Sequence, residues 1–224
     1  MSNIAGKAYA INVITPMRPG RTWIQNAIFM LIRAIPSTLT GLLGLKLIHF
    51  ARWALIKRDQ WPDLGQGKQA LACDYMLFLS NFNGTWDQYI DAFADGIPTG
   101  LDLFWYASIR YPHSIPISVF KAYISANQIN TNYYYNATPG AAQRDIKAAL
   151  RVRREVVALA QAHGASDAAT CGLAYRAALG RLANSLASPG YAPIASLATR
   201  EADLARREFI AELAASRGVV NAHP

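Results

Sequence analysis

YMLFLSNFNGTWDQYIDAF, residues 75–93, holds the change of period on which the fold turns. Residues 75–80 are short, almost uniformly apolar and flanked by turn formers, which favours a buried strand over a fragment of helix. After Asn83 and Gly84 the spacing lengthens, and Trp86, Tyr89, Ile90, Phe93, Ala94 and Ile97 fall on one helical face. Asn83 or Thr85 supplies the side-chain oxygen that a helix start needs. A strand thus runs into a helix through a junction dense in polar groups.

Upstream, residues 49–56 read as a strand, and residues 9–15, rich in β-branched side chains, as an earlier one closed by Pro16 and the turn MRPGR. Between them a helix begins near Thr22 and breaks at Pro36, with Gly41 and Gly44 leaving the rest irregular or a second short helix. Residues 57–74 form a hydrophilic loop. Downstream, Gly96, Pro98 and Gly100 interrupt the chain before residues 101–109, and Pro116 opens a short helix through Ile124. Residues 130–136 are then expected as the fourth strand, stopped by Pro139 and Gly140. The order is strand, helix, strand, strand, helix, strand. It defines an α+β fold, a ferredoxin-like βαββαβ antiparallel sheet with helical insertions. One face of such a sheet lacks helices of its own, so a second copy, another subunit or the C-terminal region must cover it. Residues 141–224 read as a helical C-terminal extension, with helices at 141–162, 166–187 and 195–217. The domain boundary falls between residues 140 and 141.

Of the 224 residues 52% are apolar and 16% charged, which excludes intrinsic disorder. Cys73 and Cys171 are too few for a disulfide framework or a thiolate metal site, so a reducing compartment is expected. The net charge is +8, and residues 1–58 contain eight basic residues and no acid. That end attracts anionic lipid or an acidic substrate. Nucleic acid is not expected, because no zinc-finger, basic-zipper or RNA-binding signature is present. Residues 22–48 are the most apolar stretch, but Arg33, Pro36 and Lys46 divide it into pieces too short to span a bilayer. Trp23-Ile24, Ala27-Ile28, Met30-Leu31 and Ala34-Ile35 recur at helical spacing, and Phe29 and Ile32 widen the apolar surface. A subunit partner or a bilayer interface must cover that helix. The expected location is cytoplasmic, with peripheral membrane association as the alternative.

The strings TPMRPGR (15–21), IHFARWALI (48–56), LFLSNFNGTWDQYIDAF (77–93), GLDLFWYASIRYP (100–112) and YYNATPG (134–140) resemble a little-characterised bacterial group. That group is similar in sequence style to ferredoxin-like, dimeric α+β barrel proteins, and the resemblance covers residues 8–155. It implies a homo-oligomer, in the first instance a dimer. The superfamily includes haem enzymes such as dye-decolourising peroxidases and chlorite dismutases, cofactor-free monooxygenases and simple ligand binders. In the peroxidase motif an acid precedes the glycine, and Asn83 stands at that position before Gly84. An amide cannot relay a peroxide proton, so peroxidase activity is not expected unless Asp87, one helical turn on, substitutes.

Several residues are candidates for chemistry. His49 is the first choice for a general base or a haem ligand, and His113, in a proline-restricted loop, is the second ligand candidate. Arg52 lies three residues from His49 and faces the other side of a regular strand. Asn81 and Asn83 either bind an anion at the strand-to-helix junction or cap the turn. Asp87 and Asp91 share a helix side but lack a third ligand, so no metal is expected. Trp86, Trp105, Tyr133 and Tyr135 are candidates to line a pocket, with subunit contact the alternative for the tyrosines. The leading expectation is a pocket for an apolar or aromatic ligand, with oxidative chemistry by His49 and Asp87, with or without haem. The alternative is a non-catalytic assembly protein whose basic, apolar N-terminal third docks to a membrane or a larger complex.

Overall fold

The computed structural model describes residues 3–35, 47–67, 69, 71–163 and 167–186. The expected irregularity at Pro36, Gly41 and Gly44 and the expected helix at 195–217 lie outside these residues. In chain order the elements are β1 (Ile4–Ala5), β2 (Ala8–Pro16), α1 (Thr22–Ala34), β3 (Ile48–Ile56), β4 (Tyr75–Phe82) and α2 (Trp86–Gly96). There follow α3 (Pro98–Phe104), α4 (Ile117–Asn127), β5 (Gln128–Ile129), α5 (Gln143–His163) and α6 (Ala168–Leu186).

The chain is α+β with an open antiparallel sheet. β2 pairs with β4 and β4 with β3, while β1 and β5 both pair with β2. The order β5-β2-β4-β3 is compatible with the expected split βαβ arrangement. The register sorts the two faces. Tyr9, Ile11, Val13 and Thr15 share one face with Met76, Phe78, Ser80 and Phe82, and with Ala51, Trp53 and Leu55. Ala10, Asn12, Ile14 and Pro16 share the other with Tyr75, Leu77, Leu79 and Asn81, and with Phe50, Arg52, Ala54 and Ile56.

Among the described residues, the helices of the core pack on the first face. Trp86, Tyr89 and Phe93 of α2, Leu101 and Phe104 of α3, and Phe120 and Ile124 of α4 join Ile11, Val13, Phe78 and Phe82 in one core. α1 adds Phe29 and Ile32 to its margin. Aromatic rings dominate: Phe82 stacks on Tyr89 at 3.8 Å, Trp53 on Phe104 at 4.2 Å, and Phe78 meets Trp105 edge-on at 5.1 Å. Such pairs add about 1 kcal/mol each beyond the area they bury. The other face carries a single charge, Arg52, and Phe50 on it is half exposed.

The strand-to-helix junction forms where the period changes. Gly84 at φ 90° turns the chain, and Thr85 caps α2. Its hydroxyl accepts from the Gln88 N–H at 3.2 Å, while the Gln88 side chain accepts from the Thr85 N–H at 3.1 Å. This reciprocal cap contributes about 1 kcal/mol.

The fourth strand differs from expectation: it is Gln128–Ile129, and residues 130–136 are not extended pairs. Asparagine side chains intercept the ladder there. The Thr131 N–H donates to Asn3 Oδ1 at 2.7 Å, and Asn12 Nδ2 donates to the Thr131 hydroxyl at 2.9 Å. Asn136 Nδ2 donates to the Ala5 carbonyl at 2.9 Å. Side chains that bond backbone groups locally displace regular pairing. α5 and α6 form a hairpin tied by Arg181 to Glu155 at 2.8 Å, and α5 buries no residue.

Candidate functional site

β2 and β3 both run antiparallel to β4, so their C-terminal ends meet the start of β4 at one end of the sheet. Arg18 follows β2, Lys57 and Arg58 follow β3, and Asp74 precedes β4. The chain leaves β2 through Gly20, held at φ 71°, and enters α1. Residue Arg21 at the helix start offers no side-chain cap, and the first turn of α1 holds no acid. Its free N–H groups therefore add positive potential.

These segments enclose a cavity of about 400 Å3, lined by Arg18, Trp23, Lys57, Arg58, Cys73 and Asp74 together with Asp59 and neighbouring backbone. Asp74 latches its wall. One carboxylate oxygen accepts from the Thr22 hydroxyl and the other from the Arg58 N–H at 2.8 Å. Burial alone would raise the Asp74 pKa. The Thr22 and Arg58 hydrogen bonds and the charges of Arg58 and Lys57 outweigh it and hold the carboxyl below its usual range. Among the described residues the side chains of Arg18, Lys57 and Arg58 form no salt bridge. Three cations and two carboxylates, Asp59 and Asp74, line the concavity, which leaves an excess of positive charge that an anion would meet. A second depression, lined by Lys147, Leu150, Arg151, Arg153 and Arg154, lies along α5 alone.

Trp23 stands on the rim, 70% exposed. From it an apolar stripe runs down the outer side of α1: Met30 is 64% and Leu31 60% exposed, with Ala27 and Ala34 exposed between and beyond them. The inner side buries only Thr22 and Gln25 fully.

The residues singled out in the sequence fall elsewhere. His49 sits at an irregularity in the β3 register between Ile48 and Phe50, half buried. Burial lowers its pKa, a shift only partly opposed by the neighbouring Asn83 side chain. Asn83 is buried and ties three segments: its amide donates to the Lys7 carbonyl at 2.6 Å, and its oxygen accepts from the Gln143 N–H at 2.9 Å. Asn81 donates to the Tyr134 hydroxyl. Tyr133 and Tyr135 flank that contact at 81% and 73% exposure. Trp105 is buried in the aromatic core, and Trp86 donates to Gln128 Oε1 at 2.8 Å. Arg52 lies on the open face with its guanidinium 6.0 Å from the Phe50 ring. Asp87 and Asp91 both pair with Lys121, at 3.1 and 2.8 Å. His113, exposed and at φ 73°, faces Asp102 at 3.4 Å. The structure thus brings His49 beside Asn83 and Asp87 beside Lys121.

A haem held by either histidine would need an imidazole nitrogen facing a slot. His49 Nε2 is buried without a hydrogen-bond partner, and neither of these two cavities is lined by His49 or His113. Among the described residues no group of three His, Cys, Asp or Glu side chains is placed to hold a metal ion.

Sequence reasoning passed over the cavity, although the signal was present. Arg18 and Lys57-Arg58 end two strands that a split βαβ order makes parallel on either side of a third, which places them at the same end of the sheet. No family model, curated protein or solved structure matches the chain.

Proposed function

We propose that this chain is a ferredoxin-like α+β protein that docks peripherally to an anionic membrane surface. The outer face of α1 enters the interface, and Arg18, Lys57 and Arg58 meet the headgroups. One observation carries this reading: an exposed apolar helix stripe begins at the rim of a cavity whose cations outnumber its carboxylates and form no salt bridge among the described residues. Each buried large apolar side chain contributes about 1.5–3 kcal/mol and each cation near an anionic surface about 1 kcal/mol. Together they support reversible attachment of the kind amphipathic surface helices make. Among the described residues no helix is long and apolar enough to cross a membrane. An apolar-ligand pocket walled by Trp105, Tyr133 and Tyr135 receives less support, since one lies in the core and two stand in solvent.

Vesicle flotation tests the reading. The protein should float with phosphatidylcholine vesicles containing phosphatidylglycerol, stay behind with phosphatidylcholine alone, and detach at high salt. Leu31→Gln should reduce flotation without altering the circular dichroism spectrum. Equal recovery with both vesicle types, or none with either, would end the proposal.

A second copy is the cover this reading assigns to the open sheet face. Among the strand residues on that face, Ile14, Leu77 and Ala54 are apolar neighbours and Arg52 is the one charge. Light scattering should give a dimer for the natural chain and a monomer for Leu77→Lys. A monomer in both cases removes the second copy from the proposal.

A further inference from the structure

Peripheral attachment needs only a positive surface, whereas the end of the sheet between α1, β3 and β4 offers a concave one. We propose that this cavity binds a phosphomonoester group, and that a membrane lipid bearing one is its source. The proposal deepens the docking reading and rests on it for that source alone.

Charge and shape point to this ligand class. The wall carries three cations, Arg18, Lys57 and Arg58, against two carboxylates, Asp59 and Asp74. Both oxygens of Asp74 are engaged, by the Thr22 hydroxyl and the Arg58 N–H, and its charge also attracts Arg58 and Lys57. It offsets part of the positive charge, and the three cations still outnumber the two carboxylates. Two guanidinium groups present planar donor forks that match the oxygens of a phosphate, and Lys57 adds a point charge. A phosphomonoester carries a charge between about −1.5 and −2 at neutral pH and three terminal oxygens, which suits three separate cations better than a carboxylate or a phosphodiester does.

Size adds a second constraint. A cavity of about 400 Å3 exceeds the volume of a bare phosphate, so it has room for the organic group to which the phosphate is attached. Trp23 borders that space on the side where the apolar stripe of α1 begins. A phosphate seated among the arginines would direct its attached body toward Trp23 and the membrane. Asn26 and Cys73 also line the cavity.

Calorimetric titration of the full chain separates this proposal from simple charge attraction. Glycerol 3-phosphate should bind saturably, and dimethyl phosphate, a diester of similar size, at least about tenfold more weakly. Arg18→Gln and Arg58→Gln, both surface changes, should each weaken glycerol 3-phosphate binding about tenfold. Arg153→Gln on α5 removes the same charge far along the chain and should leave the affinity unchanged. Absence of saturable binding by glycerol 3-phosphate, or equal weakening by Arg153→Gln, overturns the site. Flotation with phosphatidylcholine vesicles containing phosphatidic acid supplies the other arm. Binding of glycerol 3-phosphate without flotation keeps the phosphomonoester site and overturns its lipid source together with the docking reading. Flotation without glycerol 3-phosphate binding overturns the site and leaves docking intact.

Discussion

At one end of the sheet Asn83, Lys7 and Asn136 bond inward to backbone and to Asp145, whereas at the other Arg18, Lys57 and Arg58 face a cavity with no salt bridge among the described residues. The first end joins the N-terminal hairpin, the β4-to-α2 junction and residues 130–145. Lys7 contributes a 2.8 Å ion pair with Asp145, and its N–H donates to the Pro139 carbonyl at 2.8 Å. The second end has the Asp74 latch and backbone bonds, among them Met17 N–H to the Asp74 carbonyl and Arg18 N–H to the Ala107 carbonyl, both at 2.8 Å. Polar groups that satisfy one another hold a chain in place, while charges converging on a concavity are available to a ligand. Density of polar residues in the sequence therefore does not locate the charge-lined cavity. The densest run, residues 80–87, lies at the bonded end.

Stability measurements should separate the two ends. Gly6 has φ +62°, and a Cβ there would come within 2.1 Å of the Pro139 carbonyl oxygen. Gly6→Ala should therefore cost about 3–4 kcal/mol, from backbone strain plus overpacking against rigid main chain. Asn83→Ala should cost about 2–3 kcal/mol, because the Lys7 carbonyl and the Gln143 N–H lose their partner in a buried place. Arg58→Gln should stay within about 0.5 kcal/mol of the natural chain, since the exposed side chain loses its attraction to Asp74 as well as its repulsion from Arg18 and Lys57, while the backbone N–H still bonds Asp74. Urea unfolding monitored by circular dichroism gives all three. An Arg58→Gln loss as large as that of Asn83→Ala would make the basic end structural and erase the contrast.

The sequence made much of the frame legible and little of the site. β2, β3, β4, α1 and α2 begin within one or two residues of where periodicity and capping place them, because Pro16, Thr22 and Thr85 act locally. The fourth strand was misplaced for a non-local reason. Tyr133, Tyr134 and Tyr135 favour a strand, but hydrogen bonds from Asn3, Asn12 and Asn136 fix that stretch across more than a hundred residues of chain. The extra strand β1 depends on the positive φ of Gly6, which the sequence shows only as a glycine. Tyr133 and Tyr135 stand in solvent because Tyr134 between them turns inward to Asn81. The cavity stayed hidden because its parts, Arg18, Lys57, Arg58 and Asp74, are charged loop residues with no motif spacing. Only the sheet order brings them together.

The smallest predicted effect also contrasts the ends, through pH. Burial lowers the His49 pKa in the folded chain below its ordinary value of 6.5, with Asn83 opposing in part. Below that value the unfolded chain binds the proton more readily, so His49 contributes stability above pH 6.5 that is lost as pH falls toward its folded pKa. At the other end hydrogen bonds hold Asp74 below its ordinary 3.8, outweighing the burial that would raise it. Its contribution is present above that pH and disappears only as pH falls through its lower folded value. Between neutral pH and about pH 5 the His49 end should therefore weaken while the Asp74 latch holds. Unfolding midpoints across this range should decline in the natural chain and in Asp74→Asn, and flatten in His49→Gln. Equal slopes in the natural chain and His49→Gln would assign the pH response to other groups and leave His49 Nε2 as a buried atom with no energetic signature.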